Sequence, residues 1–348
     1  MYNYDMEIKQ ITKQELLAIS LHRLYLTRKA SMKEVVTNCL GLQAQFSMNP
    51  YYSLRIRSTD YDEEVIMKEY IKTWSFRGTM HFVGKHDIQQ VVSAKGYDGF
   101  TTSWGMVAEE KHQWANLIID EISEGNNLRS QLKDACIEEG ISESHLNSVF
   151  HGWGGVLQEL CIMGNIAYDA STAKRFVNLE PFEKTEKRIA RANMIKEYFM
   201  NYGPATLTDC VYFTGYKLKE VRELLVEFNI ELSKVIVEKQ EYYYLGEILQ
   251  DNSIPEIILL SGFDPLILGY KDKSRFMNES EKSKYVTNTG IIFPGVLVNG
   301  LLSARWQYSP KAIIVKPYRK LIKKYEREIT KQLKVIFPKM NIVFEDIV

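Results

Sequence analysis

A helix-turn-helix followed by two short strands is written into this sequence three times, and that repeat restricts the chain to an α+β architecture of small tandem modules. In the third copy, Pro204-Ala205-Thr206 opens a short helix predicted to run through Phe213, and Thr214-Gly215-Tyr216 makes the turn. A second helix then carries Val221, Leu224, Leu225 and Phe228 at the spacing of one buried face. Glu231–Val237 and Tyr242–Leu245 flank a polar turn at Glu238–Glu241, the pattern of a β-hairpin wing.

The second copy places Leu128, Leu132 and Cys136 on one helix face, then a longer helix through Leu157 and Leu160 that stops at Gly164. Ile166–Tyr168 and Arg175–Leu179 bracket its polar turn, Asp169–Lys174. The glycine cluster Gly152-Trp153-Gly154-Gly155 falls within this helical stretch and lacks the Lys-Ser/Thr of a phosphate loop. In the first copy, Ser31 and Glu34 have capping-box spacing, so a helix is expected from Met32 to about Leu40 or Gly41. Residues 74–76 and 80–83 read as its two strands. Beyond about residue 252 the helical period fades, and Ile254–Leu268, Gly290–Val298 and Leu301–Trp306 read as short strands of a β-rich module. At 348 residues the chain exceeds what one core usually supports. The expected division is 1–100, 101–182 and 183–251 for three winged-helix subdomains, then 252–348 for a small barrel-like module with a basic C-terminal helix.

Charge is balanced, 44 basic residues against 44 acidic, yet unevenly placed. Residues 101–150 hold Lys111, Arg129 and Lys133 against nine acidic residues, whereas residues 301–348 hold eleven basic against four acidic. Such segregation is what a polyanion-binding groove on a neutral protein would need, although taken alone it reads first as a solvated amphipathic helix at Tyr318–Phe337. Met1–Glu7 has no basic region leading into an apolar core, and the apolar stretch near Gly290–Leu302 is too short and too broken to span a bilayer. A cytoplasmic protein is expected. Cys39, Cys136, Cys161 and Cys210 are scattered singly, as reduced core thiols would be. His22, His81, His86, His112, His145 and His151 have no metal-ligand spacing, so no metal and no cofactor are expected.

Two glutamines, Gln43 and Gln45, lie one residue apart where the first-copy helix should end. In an extended segment they would share a face, whereas on a helix they would diverge by about 200°. Gly41 offers the exit. Alone, Gln-Ala-Gln reads as an idle helix terminus, because amides at helix ends are ordinary. Together with Trp74-Ser75-Phe76-Arg77-Gly78-Thr79-Met80-His81, Gly262–Arg275 and Val298–Trp306, the segment Leu40–Gln45 resembles the AlkZ family of winged-helix DNA glycosylases, whose signature is Gln-apolar-Gln. The resemblance runs through nearly the whole chain in one order. Asn299 departs from the Asp that many relatives have there, and Phe46–Asn49 is variable.

What the resemblance implies is a glycosylase that hydrolyses the N-glycosidic bond of N-alkylated purines in duplex DNA and can unhook interstrand crosslinks. Gln43 and Gln45 would be catalytic, with a monomer bound to DNA in the nucleoid and no nucleotide cofactor. An N7-alkylated guanine is already cationic and leaves neutral, so no strong acid is required. A positioned water and a dipole facing the cationic sugar suffice, and two amides can supply both.

Alternation along 79–82 puts Thr79 and His81 on one face and Met80 and Phe82 on the other. The resemblance suggests that His81 meets the scissile nucleotide and Arg77 a phosphate, with Thr79 beside them; a buried structural histidine fits His81 equally. Arg55 and Arg57, on one face if extended, together with Lys271, Lys273, Arg275 and Arg305, are further candidates for phosphates. Trp306 could stack on a base or sit in the core. The competing class is a non-enzymatic winged-helix regulator. Its recognition helix would need net positive charge, yet Lys217–Phe228 sets Lys217, Lys219 and Arg222 against Glu220, Glu223 and Glu227.

Overall fold

Capping residues decide where the helices of this chain begin. In the computed structural model, which describes residues 8–248 and 253–347, Ser31 caps the helix Met32–Asn38 and closes the expected box with Glu34. Thr12 and Glu15 do the same for Lys13–Arg23, and Thr206 and Asp209 for Leu207–Thr214. Met1–Glu7 and the proposed boundary at 251–252 lie outside the described residues. Contacts divide the described chain into two compact units, one drawn from Met1–Tyr61 with Ile195–Val348 and the other from Asp62–Met194.

In the first unit, Leu207–Thr214 ends at Gly215 with φ 77°, and Leu218–Glu227 buries Val221 and Leu224. Ser233–Val237 then pairs antiparallel with Gln240–Tyr244. The connecting turn is tighter than its polar run suggested: Glu238 and Lys239 both take positive φ, the two-residue turn that matches strand twist. Val235, Val237 and Tyr242 of this hairpin pack on Ile11, Leu16 and Ile19.

The C-terminal strands form one sheet in the order Asn341–Phe344, Ala312–Pro317, Leu301–Ser309, Gly295–Val298, Ile257–Leu260. The first pair is parallel and the rest antiparallel. The expected barrel is corrected here, because no barrel closes among the described residues. The helix Lys323–Ile336 fills the role of a far wall by burying Ile329, Leu333 and Ile336 with Trp306 and Tyr52 against the sheet. The strand expected through Leu268 stops at Leu260. Asp264 and Pro265 start a helical turn instead, with the Asp264 carboxylate accepting the Leu266 N–H at 2.9 Å. Asn299 and Gly300 form the hairpin turn between Gly295–Val298 and Leu301–Ser309, both with positive φ, so Asn is suited to its place there.

In the second unit, the strands run Met80–Gly84, Tyr70–Trp74, Ile166–Asp169, Phe176–Asn178 from neighbour to neighbour, all antiparallel. The first two hairpins of the repeat are therefore joined edge to edge. Because Tyr70–Trp74 has neighbours on both sides and both faces are covered, simple alternation fails: Ile71, Lys72, Thr73, His81, Phe82 and Val83 are all buried. Helices Ala108–Ser123, Arg129–Glu138, Glu143–Val149 and Gly155–Met163 gather around Trp114, Ile118, Leu132, Cys136, Leu157 and Phe176. Between the last two, residues 150–154 form a loop, although the glycine cluster was expected to fall within a helical stretch. Lys111 and Glu159 make a buried ion pair at 2.9 Å, shared with Thr101 and Ser103. All four cysteines are free and buried, and burial pushes the Cys39 and Cys136 thiols up to about 12. Among the described residues, no helix is long and apolar enough to cross a membrane.

Candidate active site

The helix Met32–Asn38 ends two residues before the expected stop, in a Schellman motif. The Leu40 N–H donates to Thr37 O at 3.0 Å and the Gly41 N–H to Val36 O at 2.9 Å, with Leu40 at φ 56° and Gly41 at φ 88°. Tyr202 donates its hydroxyl to the Cys39 carbonyl at 2.8 Å, satisfying one of the orphan acceptors at this helix end. The chain then becomes extended at Leu42–Gln43 and bends at Gln45, so both glutamines lie beyond the helix. Their surroundings differ. Gln43 is 6% exposed and flanked by the buried Leu42 and Ala44, whereas Gln45 is open to solvent.

Behind this segment lies the motif Gly262-Phe263-Asp264-Pro265. Phe46 stacks on Phe263 with ring centroids 5.5 Å apart. A Cβ at residue 262 would fall 2.7 Å from the Asn49 amide oxygen, so a side chain there would oblige the Asn49 amide at the start of the helix Asn49–Arg57 to shift. Asp264 is fully buried and accepts from Arg57 Nη2 at 2.6 Å, from the Ser261 N–H at 2.9 Å and from the Leu266 N–H at 2.9 Å. Asp264 is the residue that sequence reasoning left without a role. An Asp preceding Pro is a helix-cap signal that the strand reading of Ile254–Leu268 passed over, and nothing local discloses its partner.

Arg57 is accordingly corrected from a phosphate ligand to a structural cation, because its guanidinium also donates to Leu24 O at 2.9 Å and Ser53 Oγ at 3.1 Å. It lies on a helix with Arg55, so the two do not share a face as an extended segment would have required. Arg55 is half-buried, donating to Ile336 O at 2.9 Å and lying 4.8 Å from the Tyr61 ring. Arg275 is likewise interior, 3.7 Å over the Tyr270 ring, donating to Ser20 Oγ at 3.0 Å and 3.8 Å from Asp209. Arg305 is half-buried over Phe293 and donates to Lys284 O at 3.1 Å. Lys273 is buried with its amine on Tyr270 O, and burial pushes it down to about 8. Trp306 is core, its indole N–H donating to Leu260 O at 3.1 Å. Lys271 is the exposed member of this set.

In the second unit, the turn Ser75–Thr79 is closed by Ser75 N–H to Thr79 O and Thr79 N–H to Phe76 O, both 3.0 Å. Arg77 and Gly78 sit in the left-handed region at its tip, with Arg77 half-buried. His81 is 3% exposed, its ring edge-on to Phe76 and its Nδ1 3.1 Å from Thr79 O. A carbonyl can only accept, so Nδ1 carries the proton and Nε2 keeps a lone pair. Burial above all, then the Arg77 charge and more weakly that of Lys95, push His81 down to about 3. The imidazole is neutral at physiological pH. Thr79 spends its hydroxyl on Phe76 O at 3.1 Å.

A family model described as "DNA glycosylase AlkZ-like" matches residues 36–334, a span that holds both glutamines, the Ser75–Thr79 turn and the Asp264 motif. The chain belongs to this DNA glycosylase AlkZ-like family. The "Interstrand DNA cross-link repair glycosylase" of Streptomyces sahachiroi is 23% identical to it over 315 residues, which cover 83% of this chain and 85% of that protein. The solved structure of Streptomyces sahachiroi DNA glycosylase AlkZ matches with a TM-score of 0.80 at 20% identity, covering 97% of this chain and 100% of the other, so the two share a fold.

Proposed function

We propose that this protein is a monofunctional DNA glycosylase that hydrolyses the N-glycosidic bond of N-alkylated purines and unhooks interstrand crosslinks. The observation that carries the reading is the placement of Gln43 and Gln45 just past a capped helix end, one amide enclosed and the other open, within a chain of the AlkZ-like family. Base release from an N7-alkylguanine neutralises the departing base and builds positive charge on the sugar. Gln45, in contact with solvent, holds the attacking water against C1′. Gln43, itself buried, turns its carbonyl dipole toward the cationic sugar, where a dry setting strengthens the interaction. His81 contributes a neutral Nε2 acceptor to the nucleotide, Arg77 a phosphate contact and Thr79 the turn that orients them. These roles need preorganisation rather than a strong acid or base: the glycosidic electron pair leaves with the base, and the water that bonds to C1′ gives its surplus proton to the solvent beside the exposed Gln45, which suits residues that do not titrate near neutrality.

On this reading, three winged-helix subdomains at 1–100, 101–182 and 183–251 and the β-rich module at 252–348 hold duplex DNA as a monomer, in the nucleoid. An open channel serves crosslinked bases better than a closed flipping pocket, since a base tethered to the opposite strand cannot be swung free. The regulator reading is weaker, because the helix Leu218–Glu227 has no net positive charge and pairs Lys219 with Glu223 at 3.8 Å.

The test is base release from a duplex containing N7-methylguanine or a nitrogen-mustard crosslink, read as strand cleavage after alkali. Gln43→Ala and Gln45→Ala are each expected to slow release by roughly 10²-fold, the effect of removing one preorganised group, with DNA affinity little changed. Wild-type rates in both variants would remove the glutamines from the mechanism.

A further inference from the structure

Phe263 holds its backbone at φ 50°, in the left-handed region that a bulky side chain enters only under strain. Its neighbours keep it there. The Phe263 N–H donates to Ile292 O at 3.3 Å, and the Asp264 carboxylate accepts the Ser261 N–H at 2.9 Å and the Ser261 hydroxyl at 3.1 Å, closing residues 261–264 into a tight turn. Arg57 Nη2 holds the same carboxylate at 2.6 Å with both side chains fully buried, so the turn opens only by unpairing an interior charge. A glycine at 263 would adopt this backbone without strain. What the phenylalanine adds is a ring, and that ring, 8% exposed, lies 5.5 Å from the ring of Phe46 with the two planes 21° apart.

Phe46 directly follows Gln45, and its carbonyl accepts the Asn49 N–H at 3.1 Å, so the stack fixes one end of the bend at residues 45–48 and the helix Asn49–Arg57 the other. Among the described residues no hydrogen bond holds the Gln45 side chain, which leaves its direction to the backbone that carries it. We propose that Phe263 is a positioning residue whose strained backbone presents a ring on which Phe46 stacks, the stack in turn aiming the neighbouring Gln45; this rests on the glycosylase reading, in which Gln45 holds the attacking water. An amide that must place a water against one carbon tolerates little angular freedom. A ring that steadies the adjoining residue therefore affects the rate of the chemical step and leaves DNA binding alone. Phe263 acts through Gln45 and touches no substrate in this role.

The experiment uses the full chain and its Phe263→Ala, Phe263→Gly and Phe263→Tyr variants, with Phe263→Ala also combined with Gln45→Ala. Single-turnover base release from N7-methylguanine DNA is measured, with DNA affinity, thermal melting and backbone amide exchange over residues 42–48 followed in parallel. Phe263→Ala and Phe263→Gly are expected to slow release alike, by about tenfold to 10²-fold with DNA affinity unchanged, although Phe263→Gly melts higher because it is free of the φ strain. Phe263→Tyr keeps the ring and most of the rate. In the Gln45→Ala background Phe263→Ala should cost little more, since the two residues act as one unit. Amide exchange over 42–48 should be faster in Phe263→Ala than in the wild type. Release that follows melting temperature, with Phe263→Gly faster than Phe263→Ala, would reduce Phe263 to a stability role and overturn the proposal, as would a full further loss in the Gln45→Ala background. If the wild type releases no base, the glycosylase reading falls and amide exchange alone decides: faster exchange in Phe263→Ala keeps the stack as the device that holds the segment, and unchanged exchange overturns it. If the wild type releases base and Phe263→Ala matches it, the positioning role falls and the glycosylase reading stands.

Discussion

His81 is neutral in the fold because burial and the Arg77 charge hold it near 3, against an ordinary value of 6.5. Its folded pKa is depressed, so between those values the unfolded chain binds a proton that the native chain refuses. This part of the stability is complete above about pH 6.5 and is lost as pH falls toward 3, at up to about 1.4 kcal/mol per pH unit. Denaturant melts of wild type and His81→Phe at pH 7 and pH 5 should show the wild type losing more on acidification, and parallel losses would mean that His81 is not held neutral. Other single residues were less legible. The basic side chains looked interchangeable in the sequence, yet Arg57 and Arg275 are interior and Lys271 is exposed. Arg57 finds Asp264 207 positions further along, a separation across which no local pattern speaks.

At the scale of elements, boundaries written by neighbouring residues were readable. Ser31 with Glu34 opens its helix where expected, and Gly164 and Gly215 close theirs. Apolar runs were not, because hydrophobicity alone does not distinguish strand from turn: Pro265–Leu268 is helical where a strand was expected. The pairing of Tyr70–Trp74 with Ile166–Asp169 was equally hidden, since edge-to-edge joining of two hairpins leaves no mark on either. The exit from Met32–Asn38 makes its own prediction. Gly41 holds φ 88°, which an alanine adopts only under strain, so Gly41→Ala should cost about 1–2 kcal/mol in stability. Because that strain falls on the segment that aims the glutamines, base release should drop further than DNA affinity does. Equal losses in both would locate the role of Gly41 in stability alone.

For the molecule as a whole, balanced charge conceals a basic C-terminal region and an acidic middle. DNA binding should weaken steeply with salt. Lys271→Ala should lower the slope of log affinity against log salt by about one, while Arg275→Met, which removes an interior cation, should lower thermal stability and leave that slope alone. A slope indifferent to Lys271 would place the phosphate contacts elsewhere. The asymmetry itself was visible in the sequence; which cations face water was not.

The first unit is assembled from both ends of the chain, with Asp62–Met194 emerging between them. On the ribosome, the intervening residues are complete long before Asp264 leaves the exit tunnel, and until then Arg57 has no carboxylate and Phe46 no ring to lean on. A partly translated copy therefore carries both glutamines before the Asp264 carboxylate and the Phe263 ring that hold the neighbouring segments have been made.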